Sequence, residues 1–414
     1  MRILQITDSF TDVGGAETHF FSLVALLKKN GNEVFTLHFD SYGKKTPSGL
    51  KVKESSSWFL RRFYRLFFNP FMYSTLRKYI TSLHPDIIHI HKNNKYPSMV
   101  LLACRNYRTV HTVHGFGAIF PFGSDAVGKR NSLSKSITLH SITLHSITLK
   151  DIESGFFHLI KSFYYYPFYH TKARLEKKIV TRFISPSKIL AEAMHKAGYQ
   201  HITILPNFID MDYWQFRNKQ PPPYKILFVG KLSKIKGVEY LILALSLLVE
   251  SFPEITLTIV GDGDQRKYLE GLSRRLHLKK NVVFTGNSSS EKIRSYYYAH
   301  TLFVLPSICM ENYPVTLCEA MACGVPCIGT KIGGIQEIIK HNSRGFLVEP
   351  CNHKDLARAI KILLNDRKLQ VTFAENSRKF AESHLNHGVY YQKLFEIYKG
   401  TYTQRHKLLD NVVF

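Results

Sequence analysis

Short apolar runs alternate with longer amphipathic stretches in both halves of the chain. Runs typical of buried strands in the first half are residues 3–7, Val34–Phe39, Asp86–His91 and Thr109–Gly115. The second half contains Lys225–Val229, Ile255–Val260, Val282–Gly286 and Leu302–Pro306. Because helical stretches separate these strands, the pattern predicts an α/β protein with parallel, doubly wound sheets. A chain of 414 residues is long enough for two such domains.

A short helix is predicted over 315–323, after a turn that contains Glu311. Pro314 suits the first helical position, and Gly324 ends the helix. The first amides of a helix lack internal partners, so they bind a phosphate that reaches them. Glu311 and Glu319 would repel that phosphate and are better suited to accept hydrogen bonds from sugar hydroxyls. A capped helix with one solvated and one structural glutamate fits the same residues.

Two predicted strands lead into glycine-containing turns that precede helices. Gly14-Gly15-Ala16-Glu17 places small residues where the backbone can approach a ligand, although a plain tight turn explains it equally well. In the second half, Lys231 and Lys236 lie in the turn 230–237 and suit a diphosphate as point charges. A solvated basic loop is the alternative.

His114 follows a predicted strand directly. In doubly wound sheets ligands bind outside the carboxyl ends of the strands, which makes His114 a candidate site residue. The chain has 20 histidines, so a neutral histidine bonded within a loop is the competing interpretation.

The composition, 44% hydrophobic and 21% charged, is that of a folded globular protein. The apolar runs are too short to cross a membrane, and the N-terminus lacks the features of a signal peptide, so we expect a cytosolic protein. The six cysteines include no Cys-x2-Cys pair, which argues against a zinc site.

The net charge of +25 favours an anionic partner, and charge alone does not choose among nucleic acid, an anionic membrane and a nucleotide-diphosphate substrate. Two segments, 58–80 and 156–178, mix large aromatics with Lys and Arg. Such segments suit a membrane interface, and core helices with a basic polar face fit them too. Residues 136–150 are three near-perfect copies of Ser-Ile-Thr-Leu-His, which we interpret as a duplication inside a loop.

The spacing Glu311-x7-Glu319, followed by Ala-Met-Ala-x-Gly-x-Pro, resembles the signature of the retaining glycosyltransferases of family 4, which have the GT-B fold. The resemblance implies two Rossmann-like, doubly wound parallel-sheet domains facing a cleft. Residues 1–206 would form the acceptor-side domain and 207–384 the nucleotide-sugar-binding domain. A C-terminal helix at about 385–400 would cross back onto the first domain.

The resemblance also implies residue roles. Glu311 would contact the donor sugar, Glu319 the ribose, His114 the sugar site, and Lys236 the diphosphate; Glu311, His114 and Lys236 form the implied catalytic set. The implied donor-binding residues are Gly14, Gly15, Lys231, Lys236, Gly261, Gly263, Glu311, Asn312, Tyr313, Pro314, Val315 and Glu319. No cofactor and no metal is expected. Although Asp262-Gly263-Asp264 has the form of an Asp-x-Asp metal motif, it matches the base-side loop of the family.

The implied activity is hexosyl transfer from a nucleotide-diphosphate sugar to a glycan or lipid-linked acceptor, in cell-surface polysaccharide or lipopolysaccharide synthesis. The expected location is cytoplasmic and peripheral, on the inner face of the cell membrane, through 58–80 and 156–178, with no nucleic-acid partner. A non-catalytic GT-B binding protein and a nucleotide-sugar epimerase are the alternatives.

Overall fold

The structure is a computed structural model that describes residues 1–8, 14–39, 49–51, 69–119, 169–216 and 221–410. The described residues form two compact units. Unit 1 takes them from Met1–Pro186, Leu190–Leu205 and Tyr391–Phe414, and unit 2 from Ser187–Ile189 and Pro206–Tyr390. The repeat at 136–150, and residues 58–68 and 156–168 of the two basic aromatic segments, lie outside the described residues.

Unit 1 contains a parallel sheet. Its strands are β1 (Arg2–Thr7), β2 (Glu33–His38), β3 (Gly49–Lys51), β4 (Ile87–Ile90), β5 (Thr109–Thr112), β6 (Arg182–Ser185) and β7 (Ile202–Ile204). The helices of this part of the chain are α1 (Gly15–Lys29), α2 (Pro70–Leu83), α3 (Pro97–Cys104), the helical residues 169–179, and α4 (Lys188–Lys196). The first two residues of α4, 188–189, belong to unit 2. A 3-10 turn covers Phe116–Ala118. The described strands lie in the order β3-β2-β1-β4-β5-β6-β7.

Unit 2 contains a second parallel sheet. Its strands are β8 (Lys225–Val229), β9 (Thr256–Val260), β10 (Val282–Gly286), β11 (Leu302–Leu305), β12 (Cys327–Thr330) and β13 (Phe346–Val348). Its helices are α5 (Val238–Ser246), α6 (Arg266–Arg275), α7 (Ser290–Ala299), α8 (Val315–Ala322), α9 (Ile335–Ile338), α10 (His353–Asn365) and α11 (Arg367–Phe380), with a 3-10 turn at Lys234–Lys236 and a π-helical turn at Ala381–Leu385. The described strands lie in the order β10-β9-β8-β11-β12-β13.

The last helix, α12 (His387–Asp410), belongs to unit 1 from Tyr391 onward. It is longer than the predicted helix at about 385–400. None of the described helices is both long enough and apolar enough to span a membrane.

Every residue of β4, β5, β11 and β12 is buried. Strands of a parallel sheet that is covered on both faces lack the polar alternation of half-exposed strands. Of these four strands, the sequence predicted β4, β5 and β11. Lys225–Val229 and Val282–Gly286 are strands with the predicted bounds. The short strands β3, β6, β7, β12 and β13 were not predicted.

The strand order gives each sheet a switch point, where successive connections turn in opposite directions. In unit 1 this point lies between β1 and β4, and in unit 2 between β8 and β11. Ligands of doubly wound sheets bind outside the carboxyl ends of the strands at such points. The loops that follow these four strands are therefore the first places to look for chemistry.

Candidate active site

In unit 2, the loop after β8 lies against the loop after β11. Gly237 ends the first loop with a left-handed backbone at φ +64°, and a Cβ atom there would lie 2.1 Å from the carbonyl oxygen of Pro306. Only glycine permits both the conformation and this approach. The glycine thereby brings its neighbour Lys236 to the second loop.

An ion pair joins the two loops. Lys236 Nζ lies 2.5 Å from Glu311 Oε1, and the Ser307 hydroxyl donates to the same oxygen at 2.6 Å. Burial opposes both charges, but their mutual attraction outweighs it, so the pKa of Lys236 is raised and the pKa of Glu311 is lowered. Both groups are charged at neutral pH. Within the described residues, Glu311 Oε2 forms no hydrogen bond and is available to a ligand.

Helix α8 begins directly after this pair. Pro314 occupies the N-cap rather than the predicted first helical position, and the helix starts at Val315. The amides of Val315 and Thr316 have no hydrogen-bond acceptor among the described residues. Such amides, at the positive end of the helix dipole, suit an anion.

Two glycines hold the turn before α8. A Cβ atom on Gly334 would lie 1.6 Å from the carbonyl oxygen of Asn312, and one on Gly333 would lie 2.4 Å from that of Glu311. The Gly334 amide donates to the Glu311 carbonyl at 2.8 Å. The backbone of 333–334 therefore fixes the position of Glu311.

Asn312 and Tyr313 have buried side chains. The Ser187 hydroxyl donates to Asn312 Oδ1 at 2.5 Å, and the Tyr313 carbonyl accepts from Asn207 Nδ2 at 3.3 Å. The turn is thus held through the side chain of Asn312 and the backbone carbonyl of Tyr313.

Glu319 is also buried, with 7% of the residue exposed. Its Oε2 lies 3.1 Å from the Tyr297 hydroxyl, which is 2.9 Å from the carbonyl oxygen of Thr316. Because Tyr297 has one hydrogen and the carbonyl only accepts, a protonated Glu319 that donates to Tyr297 satisfies both contacts. Burial raises the pKa of Glu319 to about 8, against the opposing effect that the Tyr297 hydroxyl has when it donates to the carboxylate. Glu319 is therefore largely protonated at neutral pH, which the sequence did not reveal.

The predicted base-side loop is built by close backbone contacts. Cβ atoms on Gly261 and Gly263 would lie 2.0 Å and 2.3 Å from the carbonyl oxygens of Gly230 and Leu232. The two glycines therefore pack against the loop after β8. Lys231, in that loop, is exposed.

Asp262, between those glycines, is paired with a cation. Its Oδ2 lies 3.0 Å from Arg266 Nη1, and the amide of Gly263 and this arginine lower the pKa of Asp262. Away from this loop, and within the part of the chain that the structure describes, three potential metal ligands come together at Asp210, Asp212 and His387. Their donor atoms lie within 4.8 Å of one another. Both aspartates there are exposed, and exposed acidic groups commonly occur without an ion.

In unit 1, His114 lies at the end of a histidine cluster. It is half-buried, and its Nε2 lies 3.1 Å from Nδ1 of His91, whose ring is stacked on it. Burial, together with the nearby His89, His111 and Lys92, lowers the pKa of His114 to about 3. His114 is therefore neutral at physiological pH, as the alternative interpretation of the sequence proposed. Its hydrogen-bond partner, however, is a second histidine and not a group of its own loop.

Sequence reasoning missed His89 and His91. Both are buried, and their rings are 4.2 Å apart. The available signal was their spacing of two on the predicted strand Asp86–His91, which places both side chains on the same face. His19 on α1 completes the cluster, 5.4 Å from the His114 ring.

Gly14 and Gly15 open α1. Gly14 is the N-cap with an extended backbone, and Gly15 is the first helical residue. A Cβ atom on Gly14 would lie 2.9 Å from Glu17 Oε2, and Glu17 Oε1 accepts from Lys92 at 3.1 Å. The glycine thus leaves room for an ion pair between α1 and the loop after β4, at the switch point of unit 1.

Sequence comparison matches two consecutive family models. Residues 13–213 match the model described as Glycosyltransferase Family 4, and residues 212–380 match Glycosyl transferases group 1. An uncharacterized glycosyltransferase of Methanocaldococcus jannaschii is 36% identical over 154 residues, which are 37% of this chain and 39% of that protein. A glycogen synthase of Mycobacterium tuberculosis is 32% identical over 171 residues, 41% of each chain. The chain thus spans less than half the length of these relatives.

Solved structures match over nearly the whole chain. HepE of Anabaena, in complex with UDP and glucose, aligns with a TM-score of 0.71 at 20% identity, over 97% of this chain and 100% of HepE. WaaG, a glycosyltransferase involved in lipopolysaccharide biosynthesis, aligns with a TM-score of 0.65 at 16% identity, over 94% of this chain and 98% of WaaG. At these identities the likeness establishes the fold, which is GT-B, as predicted.

Proposed function

The chain belongs to family 4 of the glycosyltransferases, the group 1 glycosyl transferases, and we propose that it transfers a hexose from a nucleotide-diphosphate sugar to a glycan or lipid-linked acceptor with retention of configuration. The observation that carries the proposal is the pair of Lys236 and Glu311, held directly before the free amides of α8. This arrangement offers a cation and backbone donors for a diphosphate next to a carboxylate for sugar hydroxyls.

On the donor side, Lys236 and the amides of Val315 and Thr316 stabilise the diphosphate as it departs. Charge accumulates on the phosphate when the bond between the anomeric carbon and the phosphate oxygen breaks. Pre-placed donors at a developing anion are typically worth ~3 kcal/mol each. A metal-independent reaction is therefore expected.

Glu311 orients the sugar through its second oxygen, since the first is already bonded to Lys236 and Ser307. When a diphosphate attracts Lys236, Glu311 Oε1 also becomes available to the sugar. The acceptor hydroxyl forms the new bond to the anomeric carbon, and its proton passes to the departing phosphate oxygen. No protein carboxylate is required as nucleophile.

The nucleotide is first sought among uridine compounds, because HepE was solved in complexes with UDP and with UDP-glucose. Glu319 is the proposed ribose contact. Because its proton is used in the bond to Tyr297, Glu319 offers the ribose its other oxygen, Oε1, as a hydrogen-bond acceptor.

The acceptor is proposed to be an intermediate of cell-surface polysaccharide or lipopolysaccharide synthesis, with the protein cytoplasmic and peripheral on the inner face of the membrane. The support is a net charge of +25 and basic aromatic segments near residues 58–80 and 156–178. The described part of the first segment carries Phe71 with 82% of its surface exposed. Aromatic and cationic side chains together suit an anionic membrane interface.

The test is turnover of UDP-, GDP- and ADP-hexoses in the presence of a chelator, with membrane extract as the source of acceptor. Release of nucleoside diphosphate together with labelled sugar in an extracted glycan or lipid would support the proposal. Release of free sugar alone, at the same rate without extract, would indicate an epimerase or hydrolase instead. If the protein neither binds nor turns over any of these sugars, the proposed function is wrong, and a binding protein with a different ligand is favoured.

A further inference from the structure

A continuous hydrogen-bonded chain runs through the buried part of unit 1 behind His114. His91 Nε2 lies 2.7 Å from Gln5 Oε1, and Gln5 Nε2 lies 3.5 Å from the hydroxyl of Tyr398 on α12. That hydroxyl lies 2.7 Å from Nδ1 of His89, whose Nε2 is 2.7 Å from Thr112 Oγ1. Gln5, His89 and Tyr398 are fully buried, so water does not compete for these bonds.

The direction of the protons in this chain follows from Gln5. A carbonyl oxygen only accepts, so His91 must carry its proton on Nε2. Burial and the neighbouring histidines lower the pKa of His91, which is therefore neutral and has a bare Nδ1. The bond of 3.1 Å between His91 and His114 then requires His114 to donate from Nε2.

The remaining bonds agree with this direction. The Gln5 amide donates to Tyr398, Tyr398 donates to Nδ1 of His89, and His89 donates from Nε2 to Thr112. Each hydrogen has one acceptor. Reversal of the Gln5 amide would reverse every proton, so the orientation of this single side chain decides which nitrogen of His114 carries a hydrogen.

We propose that Gln5 and His91 are positioning residues that hold His114 as the Nε2–H tautomer, so that its Nδ1 presents a lone pair to a hydroxyl group of the substrate. The inference rests on the proposed function for the identity of that substrate as a sugar. Among the described residues, Nδ1 of His114 forms no hydrogen bond, and the residue is half-buried rather than enclosed. A bare nitrogen accepts from an O–H group and repels a phosphate or carbonyl oxygen. His114 therefore selects a hydroxyl at that position.

His114 keeps this role over the physiological pH range because the groups that face it disfavour a second proton. His19, His89 and His91 are neutral and desolvated, and Lys92 adds a positive charge nearby. Burial is the largest cause, and the nearby His89, His111 and Lys92 add to it, so the pKa of His114 is lowered to about 3.

The direct test is nitrogen NMR of the ligand-free protein labelled with 15N-histidine, in which protonated and bare ring nitrogens have distinct shifts. The His114 signals are assigned by their loss in His114→Asn. We expect a protonated Nε2 and a bare Nδ1, unchanged from pH 5 to pH 8. The opposite tautomer, or titration of His114 within that range, would overturn the proposal.

Variants separate positioning from general support of the fold. Gln5→Leu removes the acceptor and should give both tautomers of His114, whereas Tyr398→Phe leaves the bond between Gln5 and His91 intact and should keep the wild-type tautomer. If Gln5→Leu does not fold, Gln5→Glu serves instead, because its carboxylate also accepts from His91 Nε2 and should preserve the tautomer. A His114 spectrum that is unchanged in folded Gln5→Leu, or reversed in Gln5→Glu, would contradict the inference.

Kinetics add a readout that NMR of the free protein does not give. Once the donor is known, Gln5→Leu should lower kcat by ~10²-fold with little change in KM, since a misplaced hydrogen-bonding group costs about that much. If the protein has the expected tautomer but binds no nucleotide sugar, the proposed function is wrong and the positioning role is kept. If the protein turns over nucleotide sugars but has the reverse tautomer, the positioning role is wrong and the proposed function is kept.

Discussion

Glu311 Oε1 accepts hydrogen bonds from both Lys236 and Ser307, at 2.5 Å and 2.6 Å, so one carboxylate oxygen joins the loops after β8 and β11. The side chains of Lys236 and Glu311 are 24% and 13% exposed, which makes the pair much less solvated than a surface salt bridge. The contribution of this pair to folding can be separated from its proposed role in binding. Apolar side chains can replace a buried charge pair without loss of stability, but they cannot bind a diphosphate.

Removal of either partner should leave the other charge partly buried and unpaired. We expect Lys236→Ala and Glu311→Gln each to lower the free energy of unfolding by about 2 kcal/mol, less than for a fully buried pair. The double variant Lys236→Met/Glu311→Leu should recover most of this loss, measured by urea unfolding, yet remain inactive with nucleotide sugars. Recovery of turnover in the double variant would show that the pair is structural only.

Gly237 permits the approach of the two loops, so a methyl group there should damage the site. In Gly237→Ala, the alanine must adopt a left-handed backbone at φ +64°, and its Cβ atom would lie 2.1 Å from the carbonyl oxygen of Pro306. The matched control is Gly31→Ala, which has φ +75° and nothing within 4 Å of the added atom. Gly31→Ala should cost ~1 kcal/mol in thermal or urea unfolding, the backbone cost alone, whereas Gly237→Ala should cost clearly more. Equal losses would mean that the contact with Pro306 is easily relieved.

The protonation of Glu319 should appear in the pH dependence of stability. Its pKa is about 8 in the folded protein against the ordinary 4.5, so between these values the unfolded chain releases a proton that the folded chain keeps. Stability therefore falls as pH rises through this window, at about 1.4 kcal/mol per pH unit for one proton, and levels off above pH 8. Glu319→Gln removes this contribution.

The measurement is the free energy of unfolding of wild type and Glu319→Gln at pH 5, 6.5 and 8. The difference between the two proteins should grow in favour of the glutamine variant as pH rises. A constant difference over this range would mean that Glu319 is already ionised in the folded protein.

Membrane association is testable through α2. Phe71 is exposed, and Lys78 of the same helix is exposed as well. The protein should sediment with vesicles that contain phosphatidylglycerol, less so at high salt, and not with pure phosphatidylcholine. Phe71→Ser should weaken this binding, whereas Ile362→Ser, at an exposed apolar position of unit 2, should not. Equal effects of the two substitutions would remove α2 from the proposed membrane surface.

The GT-B fold was predictable because the buried strands are continuous apolar runs and the signature at Glu311 is specific. The family assignment and the fold are confirmed. The strands β3, β6, β7, β12 and β13, each three or four residues long, were not predicted. The strands β4, β5 and β11 are equally short but lie within the longer predicted runs 86–91, 109–115 and 302–306.

For the candidate site, the sequence indicated individual residues, whose roles stay predictions, but not the contacts between them. Sequence spacing indicated Lys236 and Glu311 separately, for diphosphate and sugar, whereas their mutual bond depends on how Gly237 meets Pro306. The protonation of Glu319 depends on burial and on Tyr297, which comes from a different helix. Local sequence contains neither piece of information.

The most direct test of the central claim is calorimetric titration of UDP and UDP-glucose, followed by GDP and ADP compounds, in the presence of a chelator. Lys236→Ala is compared with Lys234→Ala, which removes an exposed lysine from the same loop. We expect one nucleotide to bind wild type and Lys234→Ala equally, and to bind Lys236→Ala at least ~10²-fold more weakly, the loss expected for one charged donor. Equal binding to all three proteins, or binding to none of them, would contradict the assignment of Lys236 and Glu311 as the donor site.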